Sequence, residues 1–256
     1  MGQTKLSFGV IAILLAVTIL WFGSLALAAQ SQSADDEDDT LEQRLPPGIS
    51  VRAFIHRPRV VEHNHLGTCT ETTNDNINDF GLTGWHLPAN ITWKLNQSSV
   101  PATITAALAE STIQSSFATW SKLAGTSFID DGSTSVKNTR LDGTNAVLWK
   151  RLGASTIGVT YVWYYTSTGD VAEVDTAFNS RYPWRVFTDG GDCSVQYDAY
   201  DLQNIATHEI GHWVGLEDLY DTADKDLTMY GFGAGGELKK RSLGTGDVSG
   251  AQAVAP

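Results

Sequence analysis

The stretch Tyr200–Tyr230 constrains this chain more than any other, because its centre is His208-Glu209-Ile210-Gly211-His212. Leu202, Ile205, Ala206, Trp213 and Val214 recur at helical spacing and define an apolar stripe. In a helix, His208 and His212 stand one turn apart on the same face, so both imidazoles can bind one cation. Glu209, beside the first histidine, then reaches a water on that cation, which is the arrangement of a hydrolytic zinc site. Gly215 ends the helix, since a left-handed residue costs glycine little.

A five-residue HExxH pattern also arises by chance as a helix with two surface histidines, and the residues after it decide between the readings. Gly215 follows His212 by three positions and Asp218 follows Gly215 by three. A chain turned at Gly215 can bring Asp218 back as a third ligand and leave the fourth position open for water. Eleven positions beyond Asp218 stands Met229, in Leu227-Thr228-Met229-Tyr230. Glu217 and Asp221 flank Asp218, and Glu237, 25 positions past His212, competes as a distant thermolysin-like glutamate. Gly215 and Met229 both favour Asp218.

In HExxHxxGxxD followed by a methionine, the chain resembles the metzincin clan of zinc peptidases, and within it the matrixins. The resemblance runs over roughly residues 86–256. Ile91–Leu95 and the helix ending at Phe117–Ser121 resemble the first strand and helix of a matrixin domain. Asp170–Asn179 resembles the strand before the active-site helix, and Leu243–Gln252 the closing helix. The resemblance implies an α+β domain: a twisted, mostly parallel sheet with one antiparallel edge strand, an active-site helix, a Met-turn and a C-terminal helix. It further implies catalytic zinc on His208, His212 and Asp218, Glu209 as the base that activates zinc-bound water, and Met229 as a packed floor beneath the ligands. The activity implied is that of an endopeptidase on peptides or proteins. Two departures stand out: Asp218 replaces the histidine usual in matrixins, and no PRCGxPD latency sequence is present. The competing reading is a non-catalytic surface or adhesion module stabilised by metal. A structural site usually fills four positions with Cys or His and has no need of Glu209.

The rest of the chain sets the context. A net charge of -12 over 256 residues argues against a nucleic-acid partner. Residues 1–29 read as a signal peptide or membrane anchor: Leu6–Ala29 would form a helix of about 36 Å, and Ala26-Leu27-Ala28 offers a cleavage pattern. Membrane contact is expected only through this segment, and the remainder is expected outside the cell as a monomer. Residues 30–48, with Asp35–Asp39, form an acidic linker, and 49–85 an N-terminal extension or short pro-segment with short strands at Val51–Ile55 and from Arg59. His56, His63 and His65 in that extension read as exposed loop histidines. Cys69 and Cys193 are the only cysteines, and an exported chain favours a disulfide between them over a Cys69 thiolate on zinc. Asp170, Asp175, Asp189 and Asp192 lie where matrixins bind structural calcium, without a defined ligand spacing. Ile157–Tyr165 alternates with strong β-formers, and the resemblance to matrixins implies that this strand is the sheet edge on which an extended peptide lies.

Overall fold

The computed structural model describes residues 45–59, 77–188 and 198–255. The proposed leader at 1–29, the acidic run, His63, His65, Cys69, Cys193, Asp189 and Asp192 lie outside these residues. Among the described residues no helix is long and apolar enough to cross a membrane.

The larger sheet contains β1 (Ile49–Pro58), β2 (Asn90–Leu95), β3 (Ser127–Ser133), β4 (Ala146–Lys150), β5 (Gly158–Tyr165), β6 (Val171–Asn179) and β9 (Phe232–Gly233). Its order is β3-β2-β4-β6-β5-β1-β9. Strands β3, β2, β4 and β6 pair in parallel, whereas β5 runs antiparallel to both β6 and β1. A two-stranded parallel ribbon, β7 (Trp184–Arg185) and β8 (Tyr200–Asp201), precedes the central helix. The mostly parallel sheet with one antiparallel strand agrees with the fold read from the sequence, and that strand, β5, expected at the edge, is flanked by β1 on its outer side. The β-pattern of 157–165 and 170–179 becomes β5 and β6 almost residue for residue. The first strand is longer than expected, ten residues, and it lies along β5 as part of the sheet.

Three α-helices are described: α1 (Ala106–Ala124), α2 (Leu202–Val214) and α3 (Thr245–Val254). Thr105 caps α1 by accepting from Leu108 N, and Gly125 closes it in the left-handed region. Its inner face carries the expected Ile113, Phe117, Trp120 and Ala124. Phe117 packs between Trp93 of β2 and Trp213 of α2, with ring centroids 4.9 and 5.1 Å away. Asp201 caps α2, accepting from Asn204 N at 2.8 Å, and is itself held by Arg241 through contacts of 2.8 and 2.6 Å.

The core sits between the sheet and the pair α1 and α2. Consequently α2 is buried on every side, with only Gln203 partly open, where the periodicity implied one apolar stripe. A helix so enclosed can carry His208, Glu209 and His212 only if their polar atoms find partners inside the protein. Trp120 fixes its height, donating from Nε1 to Thr207 O at 2.8 Å. Trp120→Ala is therefore expected to lower the free energy of unfolding by about 3–5 kcal/mol, measured by urea denaturation.

Candidate metal centre

Helix α2 presents His208 and His212 on one face, and backbone carbonyls set their ring orientation. His208 Nδ1 donates to Thr228 O at 2.7 Å and His212 Nδ1 donates to Leu216 O at 2.8 Å. Because a carbonyl can only accept, each Nδ1 carries the hydrogen, and in the neutral ring this leaves the lone pair on Nε2. Gly215, at φ 107°, then reverses the chain while its N–H bonds Gly211 O and His212 O. The chain returns at Asp218, whose Oδ1 lies 3.2 Å from His208 Nε2 and 3.6 Å from His212 Nε2. Tyr220 Oη donates to the other oxygen, Oδ2, at 3.1 Å.

His208 Nε2, His212 Nε2 and Asp218 Oδ1 are all buried, and none has a hydrogen-bond partner. One ligand atom from each of the three residues can be chosen so that all lie within 4.8 Å of one another. Buried polar atoms are nearly always paired, and three converging acceptors have no proton to share well, so this donor set fits a cation. Two neutral imidazoles and a carboxylate match the ligand chemistry of zinc.

The other predicted residues fall around this point. Met229 is buried, and a Cβ on Gly211 would overlap its Sδ, so glycine at the fourth position of the motif admits the methionine beneath the helix. Glu209 is wholly buried, with Oε2 accepting from Thr160 Oγ1 at 2.7 Å and Oε1 without a hydrogen-bond partner. A directed chain stands behind that bond: Trp213 Nε1 donates to Thr176 Oγ1 at 2.8 Å, and Thr176 Oγ1 lies 2.8 Å from Thr160 Oγ1.

The rival carboxylates are placed elsewhere. Glu217 forms a bidentate pair with Arg52, Asp221 accepts from Ala223 N at 2.9 Å, and Glu237 accepts from Ala234 N at 3.0 Å. Of the aspartates considered for calcium, the two within the described residues, Asp170 and Asp175, do not come together. Asp175 accepts from Ala146 N and Arg140 N, whereas Asp170 lies exposed near His86. Among the described residues the only ligand-type groupings are His208/His212/Asp218 and His56/His208/Glu209, which leaves the calcium expectation without support.

Burial governs the electrostatics. It pushes the Glu209 carboxyl up to about 8 and the His208 imidazole down to about 4. At His208 burial is the main cause, opposed by the adjacent Asp218 carboxylate and reinforced by the buried Lys240 ammonium. At His212 burial opposes charge, but Asp218 outweighs it and the net shift is upward. Burial likewise opposes the ionised Asp218, yet the two imidazoles hold it well below the usual carboxylate range.

Four residues around the centre were not legible beforehand. Thr160 is one, and Lys240 is another: it donates from Nζ to Thr228 O at 3.0 Å, the carbonyl that orients His208, and burial pulls it down to about 8. Asp247, in the first turn of α3, accepts from Thr228 N, Met229 N and Gly244 N at 2.9, 3.1 and 2.8 Å. The fourth, His56, corrects the reading of exposed loop histidines: it lies in β1, has no solvent exposure, and stands against Glu209 and His208. Its only sequence signal was its place two residues after Phe54, on the same side of a strand.

The matrixin family model matches residues 84–254, two thirds of the chain. The chain belongs to the matrixin family, a family of zinc metalloendopeptidases. No curated protein shows significant sequence similarity to it.

Asp247→Ala would leave three backbone N–H groups around Met229 without acceptors. It is expected to cost roughly 3 kcal/mol of stability, seen as a lowered midpoint in urea denaturation, and to speed loss of metal to a chelator.

Proposed function

We propose that this chain is an extracellular zinc endopeptidase in which His208, His212 and Asp218 hold the metal and Glu209 handles the proton. The observation that carries the reading is the convergence of three buried, unpaired ligand atoms with Glu209 Oε1 unpaired beside them. Zinc bound there supplies Lewis acidity toward a carbonyl oxygen and lowers the pKa of a water toward about 7.

The chain's own groups do the rest. Thr228 O and Leu216 O hold the hydrogen of each ring on Nδ1 and aim each Nε2 at the common point. Glu209 takes a proton at Oε1 and delivers it to the departing amine, while Thr160 holds Oε2 and so fixes the carboxylate plane. Strand β5 on one side and Gly231–Gly233 on the other have the backbone groups for binding an extended peptide by strand addition, and in this structure β1 is the strand paired with them. The hydrophobic segment before residue 30 and the pair Cys69 and Cys193 support export and an oxidised, bridged extension, with the peptidase unit at 86–256 acting as a monomer.

The protein as secreted is expected to contain about one zinc per chain and to hydrolyse casein in a chelator-sensitive manner. Asp218→Ala should lose most of the zinc by elemental analysis, whereas Glu237→Ala should keep it. Glu209→Gln should keep zinc and lose about 10²–10⁴-fold in turnover. Undiminished turnover in that variant, or zinc retained without Asp218, would refute the assignment.

A further inference from the structure

One buried charge near the centre has no part in the reaction as drawn so far. Lys240 has no solvent exposure, and among the described residues no carboxylate forms an ion pair with it. Its Nζ instead donates to three backbone carbonyls of the Met229 turn: Thr228 O at 3.0 Å, Leu227 O at 3.5 Å, and Tyr230 O. The same nitrogen stands 5.6 Å from the centroid of the Tyr230 ring. Its backbone N donates to Asn204 Oδ1 at 2.8 Å, and Asn204 lies one turn before His208 on α2. Lys240 is thereby tied at one end to the helix that bears the histidines. At the other end it holds the turn whose Thr228 carbonyl orients His208.

Capping three carbonyls does not by itself call for a charge. A neutral amide donates to a carbonyl with a far smaller desolvation penalty than an ammonium, whose burial is offset only by negative charge in its surroundings. That charge comes from several elements. Glu237, Asp247 and Asp218 all favour the charged lysine, and Lys239 opposes it. In return Lys240 acts against protonation of His208 and His56 and favours the ionised forms of Glu209 and Asp247. Two neutral imidazoles and one carboxylate give the metal a ligand set with one negative charge, where a third imidazole would bring none. Lys240 sets a positive charge against it from inside the same dry interior.

We propose that Lys240 is a positioning residue for the reaction, a cation clamped by the 227–230 carbonyls whose charge offsets the one that Asp218 brings to the metal centre. The inference rests on that centre being the functional site. A fixed positive charge in a water-poor interior is felt strongly over short distances, and here it favours negative charge developing beside His208. The carbonyl contacts keep it at one distance from the centre, so an anionic third ligand and a strongly polarising site can coexist.

Cobalt(II), loaded into the full chain in place of zinc, reports on the centre by visible absorption without turnover. Lys240→Met removes the charge, Lys240→Gln removes it while keeping a donor for the carbonyls, and Lys240→Arg keeps it. In both neutral variants the midpoint of the pH-dependent change in the cobalt spectrum should rise by about one pH unit, because loss of a nearby cation makes protons of the centre harder to remove. Lys240→Arg should hold the midpoint of the unsubstituted chain. Ile113→Ala, a truncation in the buried face of α1, controls for lost stability and should hold it as well. An unmoved midpoint in the cobalt-loaded Gln variant, or an equal rise in the Arg variant, would overturn the inference and leave the metal centre standing. A reciprocal measurement needs no substitution, since the metal must act on Lys240 as Lys240 acts on the metal. In NMR spectra of the isotope-labelled lysine ammonium groups, zinc should lower the pH at which Lys240 titrates. No such shift would overturn the inference even where neither neutral variant folds. Failure of the unsubstituted chain to bind cobalt, or binding that survives Asp218→Ala, would instead overturn the centre and the inference with it.

Discussion

The structure depends on an enclosed helix having to carry polar side chains whose ligand atoms meet nothing but one another. Helix α2 is covered by α1, the sheet and the C-terminal segment, and His208 Nε2, His212 Nε2 and Asp218 Oδ1 are buried atoms without a hydrogen-bond partner. Their Nδ1 and Oδ2 atoms are hydrogen-bonded, and the atoms facing the common point are not. Such an arrangement is costly in an apolar interior unless a cation completes it, and metal binding then becomes part of folding.

Much of the remaining chain serves to hold that geometry. Thr228 O is shared by His208 Nδ1 and Lys240 Nζ, and the adjacent N–H groups of Thr228 and Met229 both end on Asp247. One acidic residue in the first turn of α3 therefore ties the C-terminal helix to the floor of the site. On the opposite side, the hydroxyls of Thr160 and Thr176 link Glu209 to the indole of Trp213, one helical turn further on. The sheet thus orients Glu209, and the Met229 turn orients His208.

What could be read from the sequence was local. Glu209 and the two histidines fall at fixed helical offsets, Gly215 marks the only turn that returns Asp218 to them, and β5 and β6 announce themselves by β-branched and aromatic alternation. Residues that act across long separations gave no such signal. His56 reaches α2 from a strand whose place depends on backbone pairing with β5 and Gly231–Gly233, and Asp247 and Lys240 depend on how the chain folds back after Met229. Carboxylates were also ambiguous by type alone: Asp175, weighed as a calcium ligand, spends both oxygens on backbone N–H groups of the 140–146 loop.

Anomalous diffraction from crystals of the zinc-loaded chain, collected on either side of the zinc edge, tests the account at its centre. It predicts one strong peak about 2.0–2.2 Å from His208 Nε2, His212 Nε2 and a carboxylate oxygen of Asp218. A peak that leaves Asp218 uncoordinated, or no peak between the two histidines, would contradict it.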